Sequence, residues 1–537
     1  MKVNASAVLG FFTICVVTLK PSVATAWQYT LTGPGFSDDR FFAVTVDRRG
    51  DVYAAGWADT TTCSRHRPFT VVKVSGETGK PIWIQQFCGS MSQAGSLYAN
   101  GAQWLASDPR GETLASGHIE NSDGFVGTIV QLDSTTGAET WRATPAPKVA
   151  LIAMDPTGDL AVGASGSIYQ EPDSVIKLSG KDGSILWRKG IAAAGQTSLV
   201  LGLAADASGD FLAVSTVFKP LHTPSLAALK LSGRNGSEIW RYESDEADAN
   251  QVTLNSAGDV ILAGGTLLGK TFLTKLDGIS GGLQWTTAPG TLLATAVRSI
   301  ATTRKGDVLL GGTIGRDFIV EKVSGQDGSE LWQQSLRGAC RGDTIPCHGR
   351  ANSVATDPAG DAFGAGGAAP DPASDRRAFA VVKFSGETGE MLWSRFLNET
   401  NPASNDLAQA MAITPDGDVV AAGWVGNLIT EVDAVIVKLD GRTGADYKPS
   451  RLRMLDALLS ELRVLHLPPG IHSSLEAKLI AARRTLEKSP TGGASANALT
   501  EFVHEVHAQS GKKIDAADSA RLVAAAQEIK DVLTAAP

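Results

Sequence analysis

The sequence predicts a mainly β fold, an eight-bladed β-propeller followed by a small α-helical bundle, and three observations predict it. First, a Lys in an apolar run is followed ten residues later by Trp, with Ser-Gly or Asp-Gly and a further Gly between them. Lys73 leads to Trp83 (KVSGETGKPIW), Lys177 to Trp187, Lys230 to Trp240, Lys275 to Trp285, Lys322 to Trp332 and Lys383 to Trp393, and Gln131 leads to Trp141 at the same spacing. Second, upstream of each copy lies an apolar run, a turn ending in Gly-Asp or Gly-Glu, and another apolar run. These turns fall at Gly50, Gly111, Gly158, Gly209, Gly258, Gly306, Gly360 and Gly417. Third, the turns are 47 to 61 residues apart, which is the period of a four-stranded unit, and a radial array of such units is a propeller.

Each unit divides into four short strands. In the first they are FFAVTVD from Phe41, DVYAAGW from Asp51, FTVVKVS from Phe69 and PIWIQQF from Pro81. Apolar and β-branched residues run for about six positions between Gly-rich turns, which is strand punctuation. Gly supplies the positive φ of a tight hairpin. The eighth unit lacks its Trp, since KLDGRTGADYKP from Lys438 stops short of a fourth strand. Trp27-Gln-Tyr-Thr-Leu matches the missing piece, so it is expected to pair with the third strand of blade eight around Val435–Leu439 and close the ring. Eight Trp then serve eight blades: Trp27, Trp83, Trp141, Trp187, Trp240, Trp285, Trp332 and Trp393.

With these motifs in view, the chain resembles the quinoprotein-like propeller superfamily, whose eight-bladed members carry a tryptophan-docking motif of the form xxDxxTGxxxW. Here it reads SGETGKPIW, STTGAETW and SGKDGSILW, over roughly Trp27 to Tyr447. The resemblance implies that each Trp packs between blades and is structural. It also implies an alternative function, a PQQ-dependent oxidoreductase with a quinone in the central funnel, a calcium ion and a catalytic Asp. The alcohol-oxidising relatives stack the quinone on a disulfide of adjacent cysteines. This chain has no Cys-Cys pair, no recognisable metal-ligand motif, and small apolar inner strands such as LIAMD. No catalytic, cofactor or metal residue is therefore assigned.

The ends define the remaining domains. Residues 1–26 read as a secretory signal peptide, with Lys2, an apolar core from Val8 to Leu19, and Ala24-Thr25-Ala26 as the cleavage site. The propeller spans 27–449. Residues 450–537 switch to helical apolar spacing in RLRMLDALLSELRVLHL, SLEAKLIAARRTLEK, ALTEFVHEVHAQ and AADSARLVAAAQEIKDVL, separated by Pro468-Pro469-Gly470, Ser489–Gly493 and Gly511. Four such helices make a small bundle. Through LPPGIHSSLEAKL, EFVHEVHAQSGKKI and ARLVAAAQEI the module is similar to the FIMAH-type helical module at the C-terminus of many exported bacterial proteins.

Export to a periplasmic or extracellular, bacterial-type location fits the cysteines. Cys15 leaves with the leader, and Cys63, Cys88, Cys340 and Cys347 remain, an even number for an oxidising compartment. Of three pairings, proximity favours Cys63–Cys88 and Cys340–Cys347. Removing Lys2 and Lys20 takes the formal net charge from −8 to −10, which argues against a nucleic-acid partner. No apolar run after the leader is long enough for a transmembrane anchor, and a monomer is expected.

Several local matches carry structural readings. Gly264 to Thr271 fits the P-loop pattern, but it precedes a strand where phosphate binding needs a helix N-terminus. His504 and His507 are three apart in HEVH, not the four of a zinc helix. Asp47, Asp155, Asp206 and Asp357 precede Gly-Asp turns and suit hairpin chemistry better than a calcium loop. Arg341-Gly-Asp343 is a three-letter adhesion match of negligible specificity.

What remains is one end of the ring, where second-to-third-strand loops and blade connectors gather. All four mature cysteines fall there, as do the long loops Asp59–Arg67 and Ala368–Ala378. Trp57 and Trp424 hold matching Gly-Trp positions in blades one and eight, neighbours once the ring closes. Arg65, His66, Arg67, Arg376 and Arg377 crowd the same sector. Loops on a rigid scaffold are where binding is built, so the sequence points to a non-enzymatic binding or scaffold protein. Its partner is an unknown protein or glycan, and the aromatic and cationic face suits an anionic or carbohydrate-like ligand.

Overall fold

The computed structural model describes residues 27–444 except 34–36, 60–66, 90–100, 109, 122–123, 166–173, 194–195, 220–223, 246, 267–270, 288–295, 338–348, 371–376, 398–405 and 428–430. Beyond these it describes 455, 458–459, 462–463, 465, 467–488 and 493–534. The predicted leader with Cys15, and Cys63, Cys340, Cys347 and the Arg341-Gly-Asp343 match, lie outside the described residues.

The apolar runs form strands because Val, Ile, Phe and Ala fill a pleated surface covered on both faces, and Gly turns end each run. Eight four-stranded blades result. In blade one the strands are Arg40–Val46, Val52–Trp57, Phe69–Val74 and Pro81–Phe87. First strands of successive blades touch one another all the way round, so they line a central channel. Blade eight is completed from the other end of the chain. Trp27–Leu31 pairs antiparallel with Glu431–Leu439, with Trp27 opposite Lys438 and Leu31 opposite Ala434. The closure read from the sequence is the one observed.

The ten-residue step from Lys to Trp has a physical cause. Lys73 and Trp83 are cross-strand partners in neighbouring strands of one blade, and both donate to one carbonyl of the next blade. Lys73 Nζ reaches Ser134 O at 2.9 Å and Trp83 Nε1 reaches it at 3.2 Å. Lys177 and Trp187 converge on Gly233 O, and Lys230 and Trp240 on Gly278 O. Lys438 and Trp27 close the ring on Gly76 O. The Gly-Asp turn supplies the counter-charge. Asp159 Oδ1 accepts the N–H of Gly180 at 3.0 Å, while its Oδ2 lies 3.1 Å from Lys177 Nζ. Asp155, at the start of the same turn, accepts from Thr157 and Asp159 backbone N–H groups and pairs with Lys177 at 2.9 Å. Turn capping and ion pairing thus account for the Asp residues that precede the Gly-Asp turns.

Burial alone would raise the Asp155 pKa, but the Thr157 and Lys177 hydrogen bonds outweigh it and hold the carboxyl below its usual range. Burial likewise opposes the charge on Lys177, yet Asp155 and Asp159 raise its pKa. The pair stabilises the fold at neutral pH. That contribution is lost as pH falls through the depressed Asp155 value, and again as pH rises through the raised Lys177 value.

Blade two replaces the Lys with Gln131, and the charge comes from elsewhere. Arg110 donates to Asp108 Oδ2 at 2.7 Å and to Gly180 O at 2.8 Å, the two places a latch Lys would fill, and Gln131 Nε2 reaches the same Gly180 O at 3.2 Å. Arg110→Ala is expected to cost about 1–2 kcal/mol, because buried Asp108 loses its cation. Adding Gln131→Lys should restore most of that. Urea midpoints of the single and double variants measure it, and no rescue by Lys would count against the equivalence.

Every blade also carries one extra residue in its first strand. The pairing of first and second strands slips at the same depth in all eight, between Phe41 and Ala43, Ala102 and Trp104, Ala249 and Gln251, Val297 and Ser299, Ala351 and Ser353, and at the matching places elsewhere. Such bulges turn a side chain out of the ladder.

Three helices are described where four are expected: α1 (Pro469–Lys488), α2 (Gly493–Gln509) and α3 (Ala516–Thr534). The first expected helix, over 451–467, lies largely outside the described residues. Its Leu455, Leu458, Leu459 and Leu462 nevertheless share a core with Leu475, Phe502, Val506 and Leu522. Pro469 opens α1, since a Pro costs nothing where the N–H has no helical acceptor. Among the described residues, no helix is long and apolar enough to cross a membrane.

Candidate functional site

Blades eight and one carry a matched pair of clamps. Asp39, fully buried just before the first strand of blade one, accepts the N–H groups of Gly33 at 2.6 Å and Asp59 at 2.7 Å. Asp406, in the same position of blade eight, accepts the Gly426 N–H at 2.8 Å. Each clamp fixes the backbone two residues beyond Trp57 or Trp424, which is why these two rings occupy equivalent places.

Between the two rings lie Arg40 and Phe42. The Phe42 ring is 4.3 Å from Trp57 and 6.1 Å from Trp424. The Arg40 guanidinium lies 4.8 Å from the Trp424 ring, and that of Arg67 lies 5.2 Å from Trp57, both within cation–π range. Asp38 holds both cations, accepting from Arg40 and from Arg67 at 2.6 Å, and its carbonyl takes the Trp57 indole N–H at 2.7 Å. Trp57 leans onto blade two at Gly101, where a Cβ would sit 2.7 Å from the ring. The two rings differ in access. Trp424 is only 8 % exposed and packs beneath Arg40, whereas Trp57 is half-buried.

A second group of cations continues the sector into blades seven and six. The Arg377 stem lies across Gly367, with Leu407 of blade eight beside it. Burial, the Arg350 charge and that of Arg40 push the Arg377 pKa down to about 10, against the pull of Asp406. Arg350 opens the first strand of blade seven, and burial together with Arg298 of blade six lowers its pKa as well. Its Nε is buried and has no hydrogen-bond partner among the described residues. A buried guanidinium N–H without an acceptor, as at Arg350 Nε, favours an incoming anion.

Of the site residues read from the sequence, Trp57, Arg67, Arg377 and Trp424 fall in this sector; Arg65, His66 and Arg376 lie outside the described residues. The partner expected for Cys88 and both cysteines of the expected Cys340–Cys347 pair lie outside the described residues. Sequence reasoning missed Asp38, Arg40, Phe42, Arg298 and Arg350. The available signal was comparison of blade starts, where Arg40 and Arg350 stand against Gly101, Ala296 and Leu407.

The other sequence matches find no site. Gly264–Thr266 ends one strand and Thr271 begins the next, with 267–270 outside the described residues, so no helix follows the Gly-rich stretch. His504 and His507 lie exposed on α2. Among the described residues, no three His, Cys, Asp or Glu side chains are grouped to hold a metal. The described bulge residues at this level of the channel include no carboxylate, and no step is derived through a quinone.

Fold and face together define a propeller of PQQ-like repeats with a cationic mouth. The chain belongs to the family described as outer membrane protein assembly factor BamB (PQQ_2), whose model matches residues 125–288 and 269–448, more than half of the chain. Among solved structures, BamB from Moraxella catarrhalis is similar over 77 % of this chain and 98 % of its own, at 14 % identity and a TM-score of 0.44. The Dos1 propeller is similar over 79 % and 98 %, at 11 % identity and a TM-score of 0.50. A europium-containing methanol dehydrogenase is similar over 77 % and 92 %, at 12 % identity and a TM-score of 0.50. At such identities the likeness is one of fold alone. No curated protein matches the chain.

Proposed function

We propose that the chain is an exported, non-enzymatic binding or scaffold protein, and that it takes an anionic or carbohydrate-like ligand at the mouth formed by blades six, seven, eight and one. The observation that carries this reading is the run of cations across these blades, Arg67 against the half-buried Trp57, Arg40 against Trp424, and Arg350, whose buried Nε has no hydrogen-bond partner among the described residues. Stacking area from the indole and charge-assisted hydrogen bonds from guanidiniums suit such a ligand. The leader of residues 1–26 directs the chain out of the cytoplasm, and residues 450–537 act as a FIMAH-type module. Cys63–Cys88 and Cys340–Cys347 pin the loops around the mouth. The first closes a loop of about 25 residues, worth about 3 kcal/mol if unstrained, and non-reducing peptide mapping reads the pairing.

Glycan-array and pull-down screening of the purified chain is expected to return acidic ligands. Trp57→Ala with Arg67→Ala should then weaken capture by about tenfold or more while the circular dichroism spectrum is unchanged. Normal capture by the double variant would sink the face. Adding PQQ and calcium is expected to leave the spectrum of the free quinone, and a bound-quinone spectrum would instead favour the oxidoreductase.

A further inference from the structure

The bulges place one residue of each first strand at a single level of the channel, just inside the mouth. Five of the eight are polar: Gln103, Asn250, Arg298, Asn352 and Gln409. These side chains are exposed or half-exposed although their strands are the innermost of the fold. Neighbours in the ring meet across the blade boundary, for Asn352 Nδ2 donates to Ala408 O at 2.9 Å and to Gln409 Oε1 at 3.3 Å. Two residues nearer the mouth, about 7 Å along the strand, stands Arg350, whose buried Nε has no acceptor among the described residues. On the blade-one side the ring is completed by Phe42, which contacts Trp57.

These groups differ in what they can recognise. Guanidiniums only donate, and their planar fork matches a carboxylate. Amides both donate and accept, which a hydroxyl needs and a phosphate or sulfate oxygen does not. Phe42 offers an apolar face of the size of a sugar ring. We propose that the ring of bulge residues, with Arg350, is a recognition annulus for one uronate unit, a polyhydroxylated ring bearing a carboxylate. The carboxylate goes to Arg350 and Arg298, the hydroxyls to the amides, and the C–H face of the ring to Phe42. Either a free sugar acid or the end of an acidic glycan presents that unit. The annulus acts this way only if the chain is the binding protein proposed above.

Calorimetric titration of the purified full chain tests it, with D-galacturonate, tetragalacturonate, galactose, citrate and a hexaglutamate peptide as probes. Galacturonate or the tetramer should bind while galactose does not. Binding of the monosaccharide assigns the site to a free acid, and binding of the tetramer alone assigns it to a chain end. Arg350→Gln should weaken the affinity by about tenfold or more and raise the Tm of the free protein, since it removes a half-buried cation whose Nε has no acceptor among the described residues. Gln409→Ala should weaken binding as well, which keeps the test open should Arg350→Gln fold poorly. Arg48→Ala, in a Gly-Asp turn at the opposite end, should change nothing. Equal binding of galactose and galacturonate, tighter binding of citrate or hexaglutamate, or unchanged affinity in both annulus variants would overturn the assignment. Capture of other acidic ligands through Trp57 and Arg67 with no response to any uronate would remove the annulus and leave the outer face standing.

Discussion

Deletion of Trp27–Leu31 is expected to destabilise the propeller by about 5 kcal/mol or more. The segment is the fourth strand of blade eight, so its loss strips Glu431–Leu439 of a whole ladder of backbone partners and leaves an open edge. It also removes Trp27, 3 % exposed, from the core it shares with Phe41, Val72 and Ile436. Truncating a buried Trp alone costs about 3–5 kcal/mol. The same deletion ends the donation from Trp27 Nε1 to Gly76 O, leaving Lys438 alone on that carbonyl. Blades eight and one then keep their inner-strand contacts, the Lys438–Gly76 bond and the pairing of Ser37–Asp38 with Glu431–Val432. Chemical denaturation followed by Trp fluorescence measures the change. A deletion variant with the midpoint of the parent chain would mean that blade eight stands with three strands and that the N-terminal strand merely decorates it.

The blade latch was legible in the sequence because it is a constraint of spacing. Lys and Trp must face each other across one hairpin to share a carbonyl of the next blade, so the ten-residue step recurs wherever that hairpin does. Blade two shows the limit of such reading, since Arg110 does the work of a Lys from a different strand end. The mouth was legible only in part. Trp57 and Trp424 stood out as extra Trp in matched positions, but nothing in a Gly-Trp pair tells a half-buried ring from one packed beneath Arg40. The annulus was not legible at all. A bulge is an event of strand register, and Gln103, Asn250 and Asn352 differ in no local way from other polar residues at strand starts. Arg40, Arg298, Arg350 and Arg377 are spread over more than 330 residues, and only ring closure makes them neighbours. The helices of 467–534 were the easier problem, because their apolar spacing reports one buried face each.

Gly281→Ala is expected to cost about 2–4 kcal/mol, and its partner Gly258→Ala about 1 kcal/mol, although the backbones of the two are alike. Both adopt a positive φ, +71° and +86°, where an L side chain is strained by about 1 kcal/mol. They differ in what a methyl group would meet. At Gly258 nothing lies within 4 Å, whereas at Gly281 the new Cβ would sit 2.6 Å from Cδ2 of Trp240. That ring cannot retreat easily. It is 8 % exposed, its Nε1 is tied to Gly278 O, and Leu212, Val214 and Leu262 belong to the same cluster. Overpacking of this kind adds about 1–3 kcal/mol. The docking Gly of every blade meets the Trp of its predecessor in this way, from Gly79 on Trp27 to Gly444 on Trp393. Each Trp therefore needs two features of the next blade, a carbonyl for its N–H and a Cβ-free residue under its ring. Urea midpoints of the two variants give the difference directly, free of the shared backbone term. If Gly281→Ala loses no more stability than Gly258→Ala, the rings have room to move, and the inter-blade latch is held by its hydrogen bonds alone.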